Sequence, residues 1–132
     1  METEEQIIFL AKAQECLAGA QSELINGRFN NCANRCYYAC FQAAIATLLD
    51  AALQPTGAQW GRDFVQGQFN GQLINRRKLY PTSLRNTLEQ NYRLRETADY
   101  RRDHVGEVRA ARAVRRTEEF IEAIRRPRGG GQ

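Results

Sequence analysis

Three cysteines, Cys32, Cys36 and Cys40, recur every fourth residue inside a segment whose other apolar and small residues also fall at helical intervals. No stretch of the chain alternates in the period-two manner of a β-strand. Together these facts restrict the chain to an all-α fold. The segment predicts a helix over about 31–53, in which Ala33, Cys36, Tyr37, Cys40, Phe41, Ala44, Ile45, Leu48 and Leu49 cover more than one face. A helix apolar on several sides belongs at the centre of a bundle. The cysteine stripe could supply two zinc ligands, but no second ligand pair with suitable spacing follows, and the single histidine, His104, is distant in sequence. The cysteines therefore read as small core residues, and neither a metal nor a cofactor is expected.

The remaining helices follow from periodicity and punctuation. Ile7, Leu10, Leu17 and Leu24, with Ala11, Ala13 and Ala20 beside them, predict an amphipathic helix over 4–25. Asn26-Gly27 ends it, and Asn30 or Asn31 is placed to cap the next. Pro55 and Gly57 stop the second helix; Trp60, Phe64, Val65 and Phe69 then predict a short third one. Residues 70–80 are polar and basic, and Pro81-Thr82-Ser83 suits the first turn of a fourth helix whose buried side is Leu84, Leu88, Tyr92 and Leu94. Residues 95–106 lack clean periodicity and end at a glycine, which reads as a break. A last helix over about 106–126 turns Ala110, Ala113, Val114, Thr117, Phe120, Ile121 and Ile124 inward and groups Arg109, Arg112 and Arg116 on the opposite face. The expected architecture is an up-and-down bundle of four to five helices in one domain over 1–126, with 127–132 as a flexible tail. At 132 residues such a domain buries enough surface to need no disulfide.

Charge is divided unevenly between the two halves. Residues 1–75 carry a net charge of −3, and residues 76–132 a net charge of +7. In the basic half every cation but Lys78 is arginine, whose planar fork suits phosphate. Either a polyanion partner or a solvated Arg/Glu surface accounts for this pattern. No apolar run reaches the roughly 18 residues of a membrane span, and the opening Met1-Glu2-Thr3-Glu4-Glu5 is acidic where a secretory leader would be positive. A cytoplasmic protein without a membrane partner is the expectation.

Four segments hold polar residues that a bundle does not obviously need. Asn34-Arg35 and Tyr37-Tyr38 interrupt the apolar second helix, where an arginine either snorkels outward or pairs with a carboxylate of a neighbouring helix. In Arg95-Glu96-Thr97-Ala98-Asp99-Tyr100, Arg95 and Asp99 stand at i and i+4, so Asp99 either makes a surface ion pair with Arg95 or pairs with Arg35, with Tyr100 alongside. His104 follows Arg101-Arg102-Asp103 and is either a surface residue or a general base, a task to which imidazole is suited near neutral pH. The stripe of Arg109, Arg112 and Arg116, diluted by Glu107, Glu118, Glu119 and Glu122, could track phosphates. No Gly-rich phosphate loop precedes a helix.

Taken in order, Asn34-Arg35-Cys36-Tyr37-Tyr38-Ala39, Arg95-Glu96-Thr97-Ala98-Asp99-Tyr100 and the closing Glu119-Phe120-Ile121 resemble the HEPN domain, in its small stand-alone bacterial and archaeal subfamily. The resemblance covers roughly residues 5–126. It implies a homodimeric helical bundle and, as in many members, a metal-independent endoribonuclease in which an Arg and a His meet across the dimer cleft. On this chain those roles fall to Arg95 and His104, with Asn34, Arg35, Tyr38, Asp99, Tyr100, Arg101 and Arg102 shaping the cleft for RNA or a nucleotide. It further implies a toxin paired with a nucleotidyltransferase antitoxin. Members of that kind separate the two by about four to six residues, whereas His104 follows Arg95 by nine positions, with eight residues between, and follows Arg101 and Arg102 by only three and two. The alternative implication is a non-catalytic RNA- or nucleotide-binding partner subunit with a degenerate active site.

Overall fold

The computed structural model describes residues 3–57, 59–100 and 103–126. These form an all-helical bundle, with no strand among the described residues: α1 (Glu4–Ile25), α2 (Phe29–Asp50), α3 (Arg62–Gln68), α4 (Thr87–Tyr100) and α5 (Glu107–Arg125). As its multi-sided apolar pattern requires, α2 is central and packs on each of the other four helices. No helix among the described residues is long and apolar enough to cross a membrane. The tail assigned to 127–132 lies outside the described residues, as do Arg101 and Arg102.

Helix α1 starts in a capping box, in which the Gln6 amide donates to Thr3 Oγ1 at 3.1 Å and the Thr3 amide to Gln6 Oε1 at 3.3 Å. It ends as Asn26-Gly27 predicts. Gly27 takes φ +77°, so the Gly27 and Arg28 amides turn back to the carbonyls of Leu24 and Glu23 at 3.2 and 2.9 Å. This reversal is so tight that helical geometry resumes at Phe29, with Arg28 at the N-cap and no side-chain cap bond. Asn30 and Asn31 are thus inside α2 and do not cap it. Asn31 donates to Glu23 Oε2 at 3.1 Å, and Asn30 Oδ1 accepts from the Val105 amide at 3.0 Å.

The far end of α2 closes in the same way, three residues earlier than its periodicity suggests. The Ala52 and Leu53 amides donate to Leu49 and Leu48 carbonyls at 3.1 and 2.8 Å, which requires Ala52 at φ +61°. An L side chain in that left-handed state costs about 1–2 kcal/mol. Glycine removes this cost but brings about 0.4–1 kcal/mol of extra unfolded-state entropy. Because Ala52 is exposed and gives up no packing, Ala52→Gly should stabilise the protein by about 0.7 kcal/mol. A rise of about 2–4 °C in Tm, followed by circular dichroism, is the expected result.

Three further differences from the periodic reading have physical causes. The third helix starts at Arg62 and passes at Phe69–Arg76 into a π-helical segment, so residues expected to be merely polar and basic are helical. The Arg77 amide donates to Gln72 at 2.9 Å, an i to i−5 bond, and this wider winding brings Phe69, Leu73 and Ile74 onto one buried face. Pro81 leads into a single 3₁₀ turn, Thr82–Leu84, and α4 proper begins only at Thr87. Helix α4 then runs to Tyr100, so the break expected over 95–106 is confined, among the described residues, to 103–106. Its face toward α2 simply changes from apolar to polar after Leu94.

Large and small residues divide the interior. Tyr80 stacks on Phe69 at a centroid separation of 5.6 Å, and Phe120 packs tilted against Phe69 at 5.2 Å, near Ile45 and Leu48. Toward the start of α2 the interior is instead Ala20, Cys32, Ala33, Cys36, Ala110 and Ala113, so α1, α2 and α5 approach closely. The expected inner face of α5 is buried from Ala110 to Ile121, with Ile124 half-buried. The cysteines are core residues as read. Burial pushes the Cys40 thiol up to about 12, and the thiol contact with Cys36, then burial, holds Cys32 well above the usual range. Neither is a thiolate near neutral pH.

Candidate functional site

Asn30, Asn34, Tyr38 and, beside it, Tyr37 follow one another at turn spacing along α2, Asn30 toward the segment after α4 and the other three toward α4 itself. The continuation of α4 through Tyr100 places Arg95 and Asp99 one turn apart against them. Arg95 Nε lies 3.3 Å from Asp99 Oδ2, with only 19% and 27% of the two side chains exposed. The pair is therefore real but half sunk into the interface rather than on the open surface. Asn34 Nδ2 donates to the same Asp99 oxygen at 3.0 Å, and Arg35 donates to Asn34 Oδ1 at 2.7 Å. Arg35 thus reaches Asp99 only through Asn34, and the direct Arg35–Asp99 pair considered from the sequence does not form. The Arg35 stem instead lies along Gly19 of α1, where a methyl group would meet its Cδ at 3.5 Å.

Aromatic rings surround the Arg95 guanidinium. It stands 5.4 Å from the Tyr37 ring centroid, 5.3 Å from Tyr38 and 5.8 Å from Tyr100, while Arg35 lies 5.8 Å from Tyr38. These are attractive contacts with the ring faces. They hold the guanidinium plane but satisfy none of its N–H groups, and the Asp99 contact lacks the alignment of a hydrogen bond, so Arg95 Nε is buried without one. Further along, Tyr37 approaches Tyr92 at 5.7 Å, and Arg62 stacks 3.9 Å above Tyr92. Burial pushes the Tyr37 hydroxyl up to about 12, against the opposing pull of the Arg95 charge. Tyr100 closes the cluster as an exposed ring, 74% accessible, at its lip.

His104 sits at the other end of the strip. Its Nδ1 is 3.5 Å from Asn30 Nδ2, one turn along α2 from Asn34, and the neighbouring Val105 amide is tied to the same asparagine. The ring borders a cleft of about 380 Å³ lined by Gly27, Arg28, Phe29, Asn30, Asn31 and Val105. Among the described residues, no hydrogen bond or ion pair brings His104 to Arg95, Arg35 or Asp99 within the chain. The structure therefore gathers Asn34, Arg35, Tyr38, Arg95, Asp99 and Tyr100 into one site and leaves His104 beside it.

A model of the HEPN domain family matches residues 8–126. The chain belongs to the HEPN domain family. No curated protein matches the chain. Membership points to RNA-targeting or nuclease-like function, and the helical bundle agrees with it.

Two residues that matter to this HEPN bundle escaped sequence reasoning. Asn91, fully buried on α4, donates to Thr117 Oγ1 of α5 at 3.0 Å and faces Cys40 Sγ and the Cys36 carbonyl of α2 at 3.3 and 3.4 Å. Arg116, expected on the solvent side with Arg109 and Arg112, turns inward and donates through Nε to Asn91 Oδ1 at 2.9 Å. Because a guanidinium only donates, the Asn91 oxygen must face it, which fixes the amide orientation. A visible signal was present: Asn91 falls in register with Leu84, Leu88 and Leu94, a polar residue in an apolar stripe.

Proposed function

We propose that this HEPN protein acts on RNA in the cytoplasm through the α2–α4 face and that, as a homodimer, it is a metal-independent endoribonuclease, the toxin of a pair whose antitoxin is a nucleotidyltransferase. The observation that carries this reading is the Arg95 guanidinium. It is four-fifths buried, held in place by three tyrosine rings, and its buried Nε lacks a hydrogen bond. Such a fork is set up for a phosphodiester, and exposed Tyr100 offers a face on which a base can stack. Arg35 adds a second cation one residue from Asn34.

The corresponding reaction needs no metal. His104 takes the proton of a ribose 2′-hydroxyl, the 2′-oxygen attacks phosphorus, and the bond to the 5′-oxygen breaks, leaving a 2′,3′-cyclic phosphate and, after protonation, a 5′-hydroxyl. Arg95 stabilises the charge that builds on the phosphoryl oxygens. Since His104 does not contact Arg95 in its own chain, the dimer must bring the histidine of one copy to the arginine of the other. That same separation favours a second reading, a non-catalytic RNA- or nucleotide-binding partner subunit.

Incubation of the purified protein with total RNA in EDTA decides between them. Under the first reading the wild type cleaves and His104→Ala is slower by about 10²–10⁴-fold, the usual contribution of a general base. Equal cleavage by both removes His104 from the mechanism. RNA binding with no cleavage by either selects the binding subunit.

A further inference from the structure

On the side of α4 away from Arg95 and Asp99, the helix faces α5 across a groove of about 280 Å³ lined by Gln90, Arg93, Leu94, Arg109, Arg112 and Arg116. Arg93 and Arg95 are two residues apart and so point to nearly opposite sides of α4. The groove is therefore separate from the α2–α4 cleft. Four arginines from two helices meet in it over an apolar floor, and the sequence gives Arg109, Arg112 and Arg116 the i, i+3 and i+4 spacings at which like charges repel.

The expected dilution by glutamate does not take place in space. Among the described residues no carboxylate comes within 4.0 Å of Arg109, Arg112 or Arg116. Glu118 accepts from Gln21 of α1 at 2.8 Å. Glu119 is one turn beyond Arg115 and Arg116 and pairs with neither. Among the described residues Arg93 alone of the four meets an acid, Glu89, which holds its Nε at 2.6 Å and does not itself line the groove. Arg116 is half-buried and fixed by its bond to Asn91, so its terminal amino groups are left for another partner. Burial, and then the charge of Arg109, disfavours its protonated form. A cluster held together against its own repulsion, concave and preorganised on a buried amide, has the chemistry of a phosphate site.

We infer that the α4–α5 groove is a second anion site, which holds a phosphate group of an RNA strand outside the α2–α4 cleft. The RNA source rests on the proposed function above; the anion site does not.

Two arms keep these apart. Pyrophosphate is titrated into the ¹⁵N-labelled protein while the arginine Nε–H resonances are followed. Saturable shifts at Arg109, Arg112 and Arg116, lost in Arg109→Gln/Arg112→Gln and retained in Arg125→Gln/Arg126→Gln, are expected. No shift, or equal shifts at all exposed arginines, overturns the site. In the second arm, binding of a labelled single-stranded RNA is measured against NaCl concentration. Loss of two phosphate contacts should weaken binding about 10-fold and reduce the slope of log K against log salt by about 1.4 in the groove variant. An unchanged slope with pyrophosphate shifts present assigns the groove to a free phosphate compound and overturns RNA as its ligand. Absence of any RNA binding by the wild type overturns the proposed function, while the pyrophosphate arm still judges the groove. Arg109 and Arg112 are exposed and unpaired by acids, so the double variant should melt no lower than the wild type, which keeps a folding defect from mimicking the result.

Discussion

Asn91→Ala is expected to lower the free energy of unfolding by about 3 kcal/mol, measured by urea denaturation. The side chain is fully buried and joins three helices, through Thr117 and Arg116 of α5 and the Cys36–Cys40 turn of α2. Two costs add. A half-buried guanidinium left without its acceptor costs about 1–3 kcal/mol, and the unfilled space roughly 1 kcal/mol more. Asn91→Leu separates them, because leucine fills the space but leaves Arg116 unsatisfied; it should recover only the smaller part. Adding Arg116→Met to Asn91→Leu removes the stranded charge, so the double variant should be more stable than Asn91→Leu alone. A loss below 1 kcal/mol for Asn91→Ala would show that the amide does not bind the three helices together.

The residues that made the fold readable are those whose burial follows a period. Helices α1, α2 and α5 were visible because Leu, Ala and Cys recur on the faces that meet, and Gly27 marked a turn that requires positive φ. Beyond Leu94 the same logic fails for a physical reason. The inward face of α4 there is Arg95 and Asp99, which meet Asn34 and tyrosine rings rather than an apolar surface. Hydrophobic periodicity cannot register such an interface, so a continuous helix looked like a break. The π-helical winding over Phe69–Arg76 was hidden likewise, since its buried residues are spaced by four and then one. The cluster of Asn34, Arg35 and Asp99 could be placed together from motif order, but which carboxylate met which arginine depended on side-chain reach. That is set by how closely the small residues Ala33 and Cys36 let the helices approach. For His104 no periodic element fixes a direction, and only its contact with Asn30 shows where it sits.

Arg95→Lys is expected to weaken binding of single-stranded RNA, and to slow any cleavage, by at least about 10-fold while Tm falls by only about 2–4 °C. Lysine keeps the positive charge beside Asp99 and among the rings, so most of the attraction that holds the site together survives. It lacks the planar, many-donor fork that can engage two phosphate oxygens at once. If Arg95 only stabilised the fold, RNA affinity and Tm would fall together or not at all; a large fall in one with a small fall in the other is the signature of phosphate contact. Arg95→Ala provides an independent check of the geometry through Tyr37. The folded-state value of that hydroxyl, about 12, lies above the ordinary value of about 10. Its contribution to stability is thus complete below about pH 10 and lost as pH rises through the folded value. Arg95 pulls the hydroxyl downward, so the alanine variant should hold the Tyr37 proton to still higher pH in an ultraviolet titration. An unchanged tyrosine titration would mean that the guanidinium does not lie over the ring, and the phosphate-binding reading of Arg95 would lose its footing with it.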